Sequence, residues 1–176
     1  MTHFTRDIII RKLKELGRRL DAAGERADVY VVGGAAMVLA YSRDRVTRDI
    51  DAVFIPKARV YEVAAEMAKQ DVLLGDDWLN DAVQGFLPNV ADARAQVFLD
   101  KPGIRVMVAS AERLLAMKVF AARVDRDRDD ILTLCDKVGV TRISQVIELT
   151  HNLYGDLLTA RSKFVLIELL QDRLPE

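Results

Sequence analysis

An α/β core of the α+β kind, followed by a C-terminal helical bundle, is the fold this sequence predicts, and three observations predict it. The β-branched run Val29-Tyr30-Val31-Val32 stops abruptly at Gly33-Gly34, as a buried strand feeding a tight turn does. Asp49 to Ile55 reads as a second strand, and Ala95 to Leu99 and Ile104 to Ala109 as two more, joined into a hairpin by Asp100-Lys101-Pro102-Gly103. From Ser110 onward the apolar pattern is helical only. Residues 1–109 are therefore expected to form the core, with the helical region 110–176 packed on it and contributing to its site.

A chain of 176 residues can bury one hydrophobic core without disulfides or a structural metal. It is 51% apolar and 30% charged, with a formal net charge of −1. That balance excludes a uniformly basic nucleic-acid coat and leaves room for a local basic patch. Cys135 is the single cysteine and lies in the apolar run Ile131-Leu132-Thr133-Leu134-Cys135, so it reads as a buried small hydrophobe rather than a nucleophile. His3 and His151 stand far apart, which leaves no zinc site of the usual ligands. No apolar stretch has the length of a signal-peptide core or a bilayer span, so a soluble, cytoplasmic protein without membrane contact is expected.

Taken in order, Ile9, Leu13, Leu16 and Leu20 form one stripe of a helix from Thr5 to Ala23, with Thr5 as N-cap and Gly24 as stop. Arg11, Lys14 and Arg18 share another face of it; such a stripe is solvated surface or, functionally, a contact for an RNA backbone. After Gly33-Gly34, Ala35 to Tyr41 is rich in helix formers and Arg43 to Arg48 is a polar loop. Pro56 closes the second strand, and Ala58 to Lys69 is an amphipathic helix with Val60, Val63, Ala64 and Met67 inward. Trp78 to Phe86 is either a short helix or an irregular loop. Ser110 caps a helix carrying Leu114, Leu115, Met117 and Val119 to about Arg123. The charged stretch Asp125 to Asp130 opens another helix through Lys137, and two more follow, around Ser144 to His151 and Asp156 to Leu174.

The chemistry gathers around Asp49 and Asp51. In a strand, residues two apart face the same way, so both carboxylates project together while Ile50, Ala52 and Phe54 face the other side. Two such carboxylates repel each other unless a cation lies between them, and magnesium favours one or two carboxylates plus waters and phosphates. The plainer alternative is a solvated Asp-x-Asp paired with Arg45 or Arg48. The preceding Gly33-Gly34 tips the balance. Glycines between a strand and a short helix let the backbone approach a phosphate, and here they stand one helix ahead of the acidic strand.

The stretch Val31-Val32-Gly33-Gly34 followed by Thr47-Arg48-Asp49-Ile50-Asp51 resembles the signature of the DNA polymerase beta-like nucleotidyltransferase superfamily. The Thr-Arg-Asp-Ile-Asp wording is most similar to the AbiEii and MenT-like toxin nucleotidyltransferases. A second block, Leu114-Leu115-Ala116-Met117-Lys118, then Ala122-Arg123 and Arg126-Asp127-Arg128-Asp129-Asp130-Ile131, resembles the Lys helix and Asp-x-x-Asp-Ile of that group. The resemblance spans about Asp28 to Leu134 and implies a small mixed-sheet nucleotidyltransferase core. It implies magnesium on Asp49 and Asp51, and an NTP whose phosphates lie on Gly33 and Gly34. It also implies a phosphate contact from Lys118 and a catalytic role for Asp127. The loop arginines Arg43, Arg45 and Arg48 either form a solvated loop ion-paired with Asp44 and Asp49 or, the reading preferred for Arg45 and Arg48, bind triphosphate or acceptor backbone, since the guanidinium fork suits phosphate geometry. Many superfamily members carry a third carboxylate on a following strand; Ile104 to Ala109 has none, so Asp100, Asp127 and Asp130 stay open as the additional acid.

Residue by residue, plainer readings stand beside these. Lys118 sits in an apolar helix turn and would otherwise snorkel to solvent. Asp127 and Asp130, one turn apart, suit the N-terminal dipole of a helix with Arg126 and Arg128 as ion-pair partners. The expected reaction is transfer of NMP from an NTP to an acceptor hydroxyl, with the 3′ end of tRNA implied by the toxin resemblance and an antitoxin as protein partner. The alternatives are transfer to a protein or small-molecule hydroxyl, and an inactive binding module of the same fold.

Overall fold

The computed structural model describes residues 3–121 and 124–175, the side chains of Val124 and Asp125 excepted. Two compact units emerge: Met1–Gly85 with Arg94–Ala109, and Phe86–Ala93 with Ser110–Glu176.

The first unit begins with α1 (Arg6–Ala22), capped by Thr5, whose hydroxyl accepts from the Ile8 N–H at 3.5 Å. Its stripe of Ile9, Leu13, Leu16 and Leu20 is fully buried, as the periodicity predicts. Strand β1 (Ala27–Val31) runs into α2 (Gly33–Ala36), which continues as a wider, π-type turn over Met37–Tyr41. Strand β2 (Ile50–Ile55) and helix α3 (Lys57–Gln70) follow; Val60, Val63, Ala64 and Met67 of α3 are buried as expected. The hairpin forms from β4 (Gln96–Lys101) and β5 (Ile104–Val108).

Strand β3 (Leu79–Asn80) was not legible as a strand: two residues are too short to show any alternation. Trp78 sets it in place. Its indole donates to the Ala64 carbonyl at 3.1 Å and its own carbonyl accepts from the Ile50 N–H at 2.7 Å. The remainder of that stretch is a short 3-10 turn, Ala82–Phe86.

The sheet is mixed, in the order β3-β2-β1-β5-β4. Central β1 pairs antiparallel with β2 and parallel with β5. Val29 and Val31 of β1, Ile50, Ala52 and Phe54 of β2, and Ile104, Val106 and Val108 of β5 are all buried on one face. Asp28, Tyr30, Asp51, Val53, Arg105 and Met107 alternate to the other, more open face.

In the second unit, α4 (Ala111–Ala121) starts at Ser110, whose hydroxyl accepts from the Arg113 N–H at 3.2 Å. Then come α5 (Val124–Val138) and α6 (Ile143–Tyr154). The predicted last helix, Asp156 to Leu174, is shorter in the structure. Gly155–Leu157 forms a 3-10 turn, and Thr159 caps α7 (Ala160–Leu170) by accepting from the Ser162 N–H at 3.1 Å. Cys135 is buried, and burial foremost pushes its thiol up to about 11, which suits a packing role.

A strap, residues 86–93, is held by this unit. The Tyr154 hydroxyl donates to the Phe86 carbonyl at 2.8 Å, and the buried Arg113 guanidinium donates to Val90 at 2.5 Å and Pro88 at 3.4 Å. The Asp92 carboxylate accepts from the Ser110 N–H at 2.9 Å, satisfying one donor of the first turn of α4. Among the described residues, no helix is long and apolar enough to cross a membrane.

Candidate active site

Strand β1 delivers the glycine pair and β2 delivers the acids, and the register brings them together. The Val32 N–H donates to the Asp51 carbonyl at 2.9 Å, locking the end of β1 to the start of β2. Gly33 follows with φ +61°, the left-handed region that side chains disfavour. A Cβ placed on it would lie 2.8 Å from Oδ2 of Asp51, so the Asp51 carboxylate rests directly on the glycine turn. Asp49 stands just before β2; it and Asp51 are half-buried on either side of the fully buried Ile50, the alternation that aims both outward together.

Gly34 is needed for a different reason. It sits in the first turn of α2 without positive φ, but a Cβ there would lie 2.7 Å from Oγ1 of Thr47. Thr47 donates to the Asp49 carbonyl at 3.2 Å, and its backbone exchanges two hydrogen bonds with Phe4, at 2.6 and 3.1 Å. Arg43, Arg45 and Arg48 lie in the same loop; Arg43 and Arg48 are exposed and Arg45 is half-buried. Asn80 is the register partner of Asp51 in the parallel β2–β3 pair and so flanks it, but its amide is engaged locally with Asp77 and Ala82. Sequence reasoning missed Thr47 and Asn80. The Thr47-Arg48-Asp49 wording was the only signal for the first, and nothing marked the second.

Asp100 lies in β4 rather than in the connecting turn expected from the sequence, and hydrogen-bonds Arg26 at 2.5 Å. Its register partner is Arg105, itself opposite Asp28. Val32, beside Asp51, is four residues beyond Asp28, about 13 Å along the strand at ~3.3 Å per residue. Asp100 therefore belongs to the other end of the sheet and cannot complete a carboxylate set with Asp51. Among the described residues, no group of three or more His, Cys, Asp or Glu side chains is placed to hold a metal ion.

Lys118 and Asp127 lie in the helical unit. Lys118 does not snorkel: its side chain is only 11% exposed, and its ammonium contacts Asp127 at 2.7 Å and Asp130 at 2.6 Å. Both carboxylates are more buried still, so α4 and α5 are joined by one cation held between two anions. Ala122 and Arg123 of the same block lie outside the described residues. Substituting Lys118 by methionine should leave two buried carboxylates facing each other. Loss of one partner of a buried pair costs about 3–5 kcal/mol, and urea unfolding of the variant should show a loss of that size.

Strand and turn thus place a half-buried aspartate pair on the open face of a mixed sheet, with a left-handed glycine turn packed on one carboxylate. The chain belongs to the family described as nucleotidyltransferase of unknown function (DUF6036), which matches residues 9–165. Among solved structures it is similar to an antigenic nucleotidyltransferase-like protein from Paracoccidioides brasiliensis, at 15% identity and a TM-score of 0.48, covering 98% of this chain and 91% of that one. No curated protein matches.

Proposed function

We propose that this protein is a magnesium-dependent enzyme that transfers NMP from an NTP to an acceptor hydroxyl. The observation that carries the reading is the contact between Gly33 and the Asp51 carboxylate: a space only glycine leaves open, beside an acid presented by the sheet. Hard carboxylate oxygens facing such a turn suit magnesium, which keeps several waters and takes substrate phosphates as further ligands. Asp49 and Asp51 would hold it. When bound, the ion would lower the acceptor hydroxyl's pKa and neutralise charge on the leaving group.

The chain's own residues supply the rest. Gly33 and Gly34 open the first turn of α2, whose N–H groups lack helical acceptors and suit an anion. Arg45 and Arg48 bring guanidinium forks that match phosphate geometry. The acceptor hydroxyl gives up its proton to solvent as its oxygen attacks the α-phosphorus in line, the bond to the bridging oxygen breaks, and pyrophosphate leaves with its electron pair. Lys118, as phosphate contact, and Asp127, as additional acid, belong to this proposal on the resemblance alone.

For the acceptor we propose the 3′ end of tRNA, in the manner of the AbiEii and MenT-like toxins, with an antitoxin as the protein partner. The arginine loop immediately before Asp49 supports a polyanionic acceptor. The test is incubation of the purified protein with each labelled NTP, magnesium and total tRNA, beside Asp49→Ala and Asp51→Ala. Label on tRNA with the wild type and none with either variant is the expected result. Label on protein or small molecules instead would keep the chemistry and overturn the acceptor. No transfer, together with no magnesium-dependent NTP binding, would leave a binding module of the same fold.

A further inference from the structure

We propose that Thr47 is a positioning residue of this site: its hydroxyl fixes the Asp49 backbone against Gly34 and so sets the spacing between the glycine turn and the aspartate pair. The inference rests on the reading that Asp49 and Asp51 bind a divalent ion. Four contacts carry it. The Thr47 hydroxyl donates to the Asp49 carbonyl at 3.2 Å, and Oγ1 fills the space a Gly34 side chain would need, 2.7 Å from a Cβ placed there. From behind, the Thr47 backbone is clamped by the reciprocal pair of hydrogen bonds to Phe4, a side chain only 1% exposed. Thr47 thus touches three separate pieces of chain: the N-terminal segment ahead of α1, the glycine turn after β1, and the lead-in to β2.

The chemistry assigns positioning rather than direct contact with substrate. The hydroxyl proton is committed to the Asp49 carbonyl, which leaves only lone pairs to face outward. Lone pairs repel a phosphate, so the group orders its neighbours instead. Without the hydroxyl, the Asp49 carbonyl loses its partner and the peptide can rotate, carrying the carboxylate with it. Partners that orient metal ligands from outside typically account for about 10- to 100-fold in metal affinity.

The test uses the full chain and Mn²⁺ alone, with the loss of the free-ion electron paramagnetic resonance signal as readout and no nucleotide present. Thr47→Val keeps the branched shape and the backbone pair to Phe4 but removes the hydroxyl; Thr47→Ser keeps the hydroxyl. The expected result is about ten-fold weaker Mn²⁺ binding in Thr47→Val and near wild-type binding in Thr47→Ser, with the melting temperature of Thr47→Val lowered by only about 2–6 °C. Gly34→Ala, which pushes the hydroxyl aside without straining the backbone, should weaken binding alike and serves if Thr47→Val does not fold. Equal binding by Thr47→Val and wild type would overturn the role of Thr47 and leave the nucleotidyltransferase reading intact. Equal weakening in Thr47→Ser would also overturn it, because packing of the methyl group would then be the cause. A wild type that binds no Mn²⁺ would overturn the metal reading and this role together.

Discussion

Gly33→Ala is expected to lower the nucleotide transfer proposed above by about two orders of magnitude while leaving the protein folded. Two effects act at one atom. The alanine must adopt φ +61°, at about 1–2 kcal/mol for a residue with a side chain. Its methyl group would also stand 2.8 Å from Oδ2 of Asp51, so either the carboxylate or the turn must give way. If Asp51 acts as proposed, displacing it by about 1 Å costs about 10²-fold, far more than the strain costs stability. Gly24→Ala is the matched control: Gly24 has φ +70° with nothing within 4 Å of a new Cβ. That variant should lose a similar increment of stability and retain transfer. Initial rates with each variant, beside thermal melts, separate the two contributions.

Gly103→Ala should produce a large loss of stability. This glycine ends the turn between β4 and β5 with φ +76°, and its Cβ would run into the Gly17 carbonyl and lie 2.7 Å from the Asp21 nitrogen, both backbone of α1. The approach is reciprocal, since a side chain on Gly17 would collide with Ile104. Backbone cannot rotate away as a side chain can, so α1 must lift from the β5 end of the sheet. Left-handed strain of about 1–2 kcal/mol and overpacking of about 1–3 kcal/mol sum to about 2–5 kcal/mol. At ~2–4 °C per kcal/mol for a chain of this size, the melting temperature should fall by about 10 °C. Gly139→Ala, with the same φ and open space, should cost only the strain.

Much of the core was legible because its signals are local. The stripe of α1, the stop at Gly33-Gly34, the alternation around Ile50 and the Pro-Gly hairpin each lie within a few consecutive residues. The mixed character of the sheet came from the resemblance, and the register of β1 with β2 and β5 carries it out. What stayed hidden depends on residues far apart in the chain. Thr47 looks like an ordinary loop threonine until Phe4, Gly34 and Asp49 are seen around it. Trp78 reads as an ambiguous aromatic until its indole finds the Ala64 carbonyl. Asp130 looked like helix-end charge, but with Asp127 it brackets Lys118. The break before α7 was missed because Thr159 caps as well as any threonine inside a helix could, and only Gly155 hinted at a stop.

The strap of residues 86–93 has an evolutionary consequence. Its carbonyls and the Asp92 carboxylate are claimed by Arg113, Tyr154 and Ser110, yet it is encoded in the middle of the sheet-forming stretch. Neither unit is therefore a contiguous cassette. A gene cut after Ala109 would strand the strap on one product and the Arg113 guanidinium on the other, stripped of its acceptors in a buried place. Recombination at a single junction could not move the complete helical half of this protein onto another sheet. The sheet half and the helical half are thus interleaved along the chain, and a cut that respects both needs two junctions, one on each side of the strap.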